Sequence, residues 1–95
     1  MNDLTAFQRD ILYVVAGKDD PHGLAIKTAL GDYYGEQINH GRLYPNLDGL
    51  ATKGLLAKGS KDDRTNEYTL TERGRRELLA RRRWEEEHLS EVVSA

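Results

Sequence analysis

From its first residues the chain repeats its apolar side chains at helical rather than strand spacing. Leu4, Phe7, Ile11, Leu12 and Val15 share one face of a helix, a period of about 3.6 residues. Thr5 and Gln8 stand at the spacing of a capping box, and Gly17 supplies the stop. A turn, KDDPHG, follows, and Ile26, Ala29, Leu30 and Tyr33 give a second helical stripe ending near Gly35. The third stripe is Leu43, Leu47 and Leu50, at i, i+4 and i+7, with Asn39 as N-cap and Gly54 at the end. Arg42, Asn46, Gly49 and Lys53 lie off that stripe and are expected on an outward, polar and basic face. Pro45 removes a backbone donor and crowds the carbonyl of Gly41, which predicts a loose or kinked first turn.

Beyond Gly54 the period falls to two. Gly54-Leu-Leu-Ala-Lys-Gly reads as a short strand, SKDDRTN as a turn-rich loop, and Glu67-Tyr-Thr-Leu as a second strand. From Thr71 the pattern becomes strongly helical, without proline, for roughly twenty residues. Helix, helix, helix, hairpin, long helix is the order of a mainly α winged helix-turn-helix. Residues 1–70 make up that module and residues 71–95 an added C-terminal dimerisation helix.

A wider stretch carries a resemblance. Asn39-His-Gly-Arg-Leu-Tyr-Pro-Asn-Leu-Asp-Gly-Leu-Ala-Thr-Lys-Gly-Leu resembles the PadR-like transcriptional regulators, which place a glycine before Leu-Tyr-Pro and then Leu, Leu and Gly-Leu at this spacing. The likeness continues through Arg64-Thr-Asn-Glu-Tyr-Thr-Leu-Thr-Glu-Arg-Gly, the wing and the start of the last helix in that family. Many members carry a multi-helix dimerisation domain at the C-terminus. This chain has room for one helix, so it is similar to the short branch, and its motifs have a haloarchaeal wording. The resemblance implies double-stranded DNA as partner and a phosphate contact from the Tyr44 hydroxyl. The Leu-stripe spacing of Tyr44 is equally that of a partly buried residue.

At 95 residues the chain is one small domain with a limited core. Its lack of cysteine excludes disulfides, thiolate metal sites and cysteine nucleophiles. Neither a secretion signal nor a membrane-length apolar run is visible, which predicts a cytoplasmic protein. The net charge of −2 argues weakly against a nucleic-acid partner, but its distribution is uneven. Residues 1–38 carry three basic and six acidic side chains, residues 39–64 five basic and three acidic, and residues 65–95 six basic and seven acidic. Only the middle third is positive. An acidic body with few lysines also points weakly to a halophilic source.

In a helix-turn-helix the third helix enters the major groove, so Asn39, His40 and Gly41 at its start meet DNA, with the amides there near phosphate. Arg42 suits the O6 and N7 of guanine and Asn46 the N6 and N7 of adenine. Lys53, Lys58, Lys61 and Arg64 would grip the backbone, although Asp62 and Asp63 neutralise part of the wing. Lys27 would join them only if its helix face turns to the duplex. On the last helix, Leu78, Leu79, Trp84, Leu89, Val92 and Val93 are the expected dimer interface around the charged block RRRWEEE. The competing reading is a solvated helix with internal Arg–Glu pairs.

An enzyme reading finds no support. His22, His40 and His88 are scattered without metal-ligand spacing, and no Gly-rich phosphate loop or nucleophile elbow is present. The sequence therefore predicts no cofactor and no metal. Its fullest functional expectation is a homodimeric repressor on a pseudo-palindromic operator. The alternative is a winged-helix protein-interaction module within a transcription complex. With Met1 the sole methionine and no cysteine, the chain lacks the usual direct thiol or thioether sensors, while a small-molecule or ion effector stays open.

Overall fold

The computed structural model describes residues 3–60 and 65–94. Three helices, α1 (Ala6–Ala16), α2 (Gly23–Tyr34) and α3 (His40–Thr52), precede a hairpin of β1 (Leu56–Ser60) and β2 (Asn66–Leu70) and a long α4 (Glu72–Ser94). The capping box expected from Thr5 and Gln8 is present: the Thr5 hydroxyl accepts from the Gln8 amide and the Gln8 side chain accepts from the Thr5 amide, both at 3.1 Å. For α2 the N-cap is His22, whose Nδ1 accepts from the Ala25 amide at 3.0 Å. The helix ends at Gly35, which sits in the left-handed region at φ 71°, where a glycine carries no Cβ penalty.

Helix α3 is continuous through Pro45. Asn39 caps it, its Oδ1 accepting from the Gly41 amide at 2.7 Å, and the Arg42 and Leu43 amides both donate to the Asn39 carbonyl. The first turn is thus closed before the proline is reached. Gly41 offers no side chain to crowd the ring one turn later, so the backbone adjusts locally.

Leu43, Leu47 and Leu50 are fully buried, and complete burial of such a side chain contributes about 1.5–3 kcal/mol. They meet Ile11, Leu12 and Val15 of α1, Ile26 and Leu30 of α2, and Tyr68 of β2 in one core. The hairpin is antiparallel, with Leu56 opposite Leu70 and Ser60 opposite Asn66. A short bridge between His22 and Glu67, with the Tyr68 amide donating to the Pro21 carbonyl at 2.9 Å, ties the α1–α2 turn to β2.

The start of α4 is seated on the α3–β1 connection. Thr71 Oγ1 donates to the Gly54 carbonyl at 2.7 Å and accepts from the Gly74 amide at 3.0 Å. Gly74 is buried against the Leu55 carbonyl and Leu70, and Leu78 enters the core at 7 % exposure. Leu78 therefore holds α4 to its own chain instead of offering a free apolar surface. At about 1.5 Å per residue the 23 residues of α4 outrun this seat. Leu89, Val92 and Val93 stand exposed on the free end. No helix among the described residues is long and apolar enough to cross a membrane. The arrangement is a winged helix-turn-helix with an overhanging C-terminal helix.

Candidate nucleic-acid interface

With its leucine stripe inward, α3 divides its remaining surface into two flanks and a crest. The crest holds Gly41, Pro45 and Asp48, all exposed. Its small residues bring the helix backbone close to whatever lies above.

On one flank the His40 ring rests on Tyr44 with centroids 4.2 Å apart. Tyr44 itself is half-buried and packs on the core. Its hydroxyl lies across the start of α2, where a Cβ built on Gly23 would stand 2.7 Å from the tyrosine Cζ. Of the two readings of this residue, the partial burial is present. Behind it Tyr68 is fully buried, and its hydroxyl has no hydrogen-bond partner among the described residues. Burial raises the Tyr68 pKa above the ordinary phenol value.

The opposite flank carries Arg42, Asn46 and Lys53. Arg42 and Lys53 are exposed, as the sequence predicts, and Asn46 is half-buried, but each also engages the N-terminal segment or α1. The Arg42 guanidinium lies over the Phe7 ring at 3.9 Å. Asn46 accepts from Gln8 Nε2 at 3.0 Å and donates to the Arg42 carbonyl at 2.7 Å. Lys53 pairs with Asp3 at 3.2 Å. That side-chain hydrogen bond, ahead of the local backbone amide and the lysine charge, lowers the Asp3 carboxyl pKa. The shared cause is geometric: a row at i, i+4 and i+11 borders the leucine stripe, so it lies in the crease between two packed helices.

The same crease holds a polar–aromatic cluster that sequence reasoning missed. Tyr34 donates its hydroxyl to Asp10, and its ring stacks on Phe7 at a centroid distance of 6.2 Å. Burial, followed by the Asp10 hydrogen bond and charge, pushes the Tyr34 pKa up to about 12. No local signal announces these contacts, because the Tyr34–Asp10 partners are 24 residues apart and the Gln8–Asn46 partners 38 apart.

On the hairpin, Lys58 is paired with Asp48 of the α3 crest at 3.3 Å, an acidic neighbour not weighed from the sequence. Lys61 and Arg64 lie outside the described residues. Lys27 is half-buried on α2. On α4, Arg81 stacks over Trp84 at 4.3 Å, and the pairs Arg81–Glu85 and Arg82–Glu86 run along the helix. Such exposed pairs contribute little. Leu79 and Trp84 nevertheless remain 39 % and 47 % exposed, and Leu89, Val92 and Val93 47 %, 71 % and 79 %.

Residues 11–80 match the model of the Transcriptional regulator PadR-like family. Among solved structures, the chain is similar to the hsRosR-S1 complex at 51 % identity and a TM-score of 0.86, covering 99 % of this chain and 80 % of that one. It is likewise similar to H. salinarum RosR grown from NaBr, at 52 % identity and a TM-score of 0.85, covering 98 % and 81 %. The PcaV transcriptional regulator from Streptomyces coelicolor, in complex with its natural ligand, shares the fold. There the identity is 20 %, the TM-score 0.64 and the coverage 93 % of this chain and 62 % of that one. No curated protein matches the chain.

Proposed function

The chain belongs to the PadR-like family of transcriptional regulators, which bind DNA and are not enzymes, and from that premise we propose that it is a homodimeric repressor of a pseudo-palindromic operator. Each subunit reads one half-site. Helix α3 enters the major groove, with Asn39, His40 and Gly41 leading and Arg42, Asn46 and Tyr44 on its flanks. Lys53 and the wing cations Lys61 and Arg64 meet phosphates.

The observation that carries this reading is the pairing of a small, exposed α3 crest with an apolar α4 end that outruns its own core. The first admits a helix closely to a base edge. The second suits a two-fold partner helix, using Leu79, Trp84, Leu89, Val92 and Val93, with Leu78 as the hinge point to the body. The intramolecular partners on the α1 flank do not oppose DNA. An exposed cation–π contact such as Arg42 on Phe7 is worth about 0.5–1 kcal/mol, and a bidentate guanine contact about 1–3 kcal/mol. The solvent-exposed Lys53–Asp3 pair yields equally readily to a phosphate.

The test is binding to a labelled duplex from the region upstream of the protein's own gene against a scrambled duplex, across a salt series reaching molar potassium chloride. Preference for the native duplex, with two protomers bound, is expected. Equal and salt-sensitive binding to both, or none, would turn the assignment to a protein-interaction module.

A further inference from the structure

The amide of Asn46 is wired to the capping box of α1 through an unbroken chain of hydrogen bonds. Its two ends are backbone groups of fixed polarity. The Thr5 amide can only donate, so the Gln8 atom facing it, 3.1 Å away, is the carbonyl Oε1. The other Gln8 atom is then the Nε2 donor, and it meets Asn46 Oδ1 at 3.0 Å. At the far end the Arg42 carbonyl can only accept, and it takes Asn46 Nδ2 at 2.7 Å. A half-turn of the Asn46 amide would set donor against donor at Gln8 and acceptor against acceptor at Arg42. One orientation is therefore selected.

That orientation has a consequence for recognition. A primary amide offers two lone pairs on oxygen and two hydrogens on nitrogen. Gln8 takes one lone pair and the Arg42 carbonyl one hydrogen. Among the described residues one acceptor and one donor position are left, the pair that matches the N6 amine and N7 of adenine in the major groove. Asn46 is only half-buried in the middle of α3, so the residue is not closed off from a ligand.

We propose that Gln8, which need touch no base, is a positioning residue that fixes Asn46 to read adenine. This rests on the DNA-binding reading above. It deepens that reading by assigning a base and a residue of α1 to the specificity of α3.

The experiment is selection of bound sequences from a randomised duplex pool by the full-length protein and four variants, each checked for fold by circular dichroism. Gln8→Glu keeps an acceptor for the Thr5 amide but presents no donor to Asn46. Gln8→Met removes both groups without adding charge. Asn46→Ala removes the reader, and Thr5→Ala weakens the same helix cap while leaving the Gln8–Asn46 bond in place. The wild type is expected to enrich an adenine at one position of each half-site. Asn46→Ala and both Gln8 variants should lose about tenfold of that preference, while Thr5→Ala keeps it. A uniform charge penalty from Gln8→Glu lowers all affinities together and leaves the preference unmoved, so a merely electrostatic or structural role gives a different outcome. An adenine preference that survives in the folded Gln8 variants, or in Asn46→Ala, overturns the proposal. A wild-type protein that enriches no sequence overturns the DNA-binding reading itself.

Discussion

Two glycines in helices should respond to alanine in opposite directions. Gly49 lies inside α3 and Gly74 in the first turn of α4, and replacing a helical glycine by alanine removes a propensity penalty of at most about 1 kcal/mol. At Gly49 a new Cβ meets no heavy atom within 4 Å, so that gain is realised. For a domain of this size about 1 kcal/mol raises the melting temperature by roughly 4–8 °C. At Gly74 the new Cβ overlaps the Leu55 carbonyl oxygen and stands 2.8 Å from Leu70 Cδ1 and 3.2 Å from the Leu55 carbonyl carbon. The oxygen is a backbone atom that already accepts from the Thr71 amide at 3.2 Å, and it cannot turn aside as a long side chain would. Overpacking commonly costs about 1–3 kcal/mol, and a backbone clash belongs at the upper end of that range. Set against the propensity gain, the net loss is about 2 kcal/mol, a fall in melting temperature of roughly 10 °C. Thermal unfolding by circular dichroism, at fixed salt and fixed protein concentration because an oligomer's midpoint depends on both, reads both variants. A Gly74→Ala protein melting at or above the wild type would refute the argument that α4 is seated directly on the α3–β1 connection.

Other outcomes follow from the same structure. Tyr34 has a folded pKa raised above its unfolded value of 10.0 to about 12, so its neutral, hydrogen-bonded form stabilises the fold fully below pH 10 and that contribution is lost as pH rises through the folded value. Tyr34→Phe should therefore flatten part of the alkaline fall in stability, measured by urea denaturation from neutral to strongly alkaline pH. An unchanged slope would remove Tyr34 from the titration. Leu89→Glu combined with Val93→Glu should give a monomer that keeps its helical content, read by analytical ultracentrifugation. A persisting dimer would move the interface away from the free end of α4. Arg42→Ala is expected to relax sequence preference, and Lys53→Ala to weaken specific and random duplexes alike. Equal losses on both duplexes for Arg42→Ala would exclude base reading by that residue.

Local order was legible in the sequence because its causes are local. The Thr5–Gln8 capping box, the Leu43–Leu47–Leu50 stripe and the change from helical to alternating period are each complete within a few residues. The Gly-Arg-Leu-Tyr-Pro wording and the wing that follows it brought the family within reach for the same reason. Pro45 does not interrupt α3, whose first turn is closed by the cap from Asn39 and has no side chain at Gly41 to meet the proline ring.

What the sequence could not fix was the direction of polar residues beside an apolar stripe. Arg42, Asn46 and Lys53 lie equally well, by periodicity, on a free surface or in the crease beside a neighbouring helix. Only the packing of α1 against α3 brings Phe7, Gln8 and Asp3 to them. Leu78 and Leu89 likewise look equivalent along α4, yet one lies where the body of the chain reaches the helix and the other beyond it. The sequence by itself determined which segments are helix or strand and which residue types could contact DNA. The tertiary structure decided which of them are already engaged, because that depends on partners tens of residues away, whose approach is set by how the helices pack.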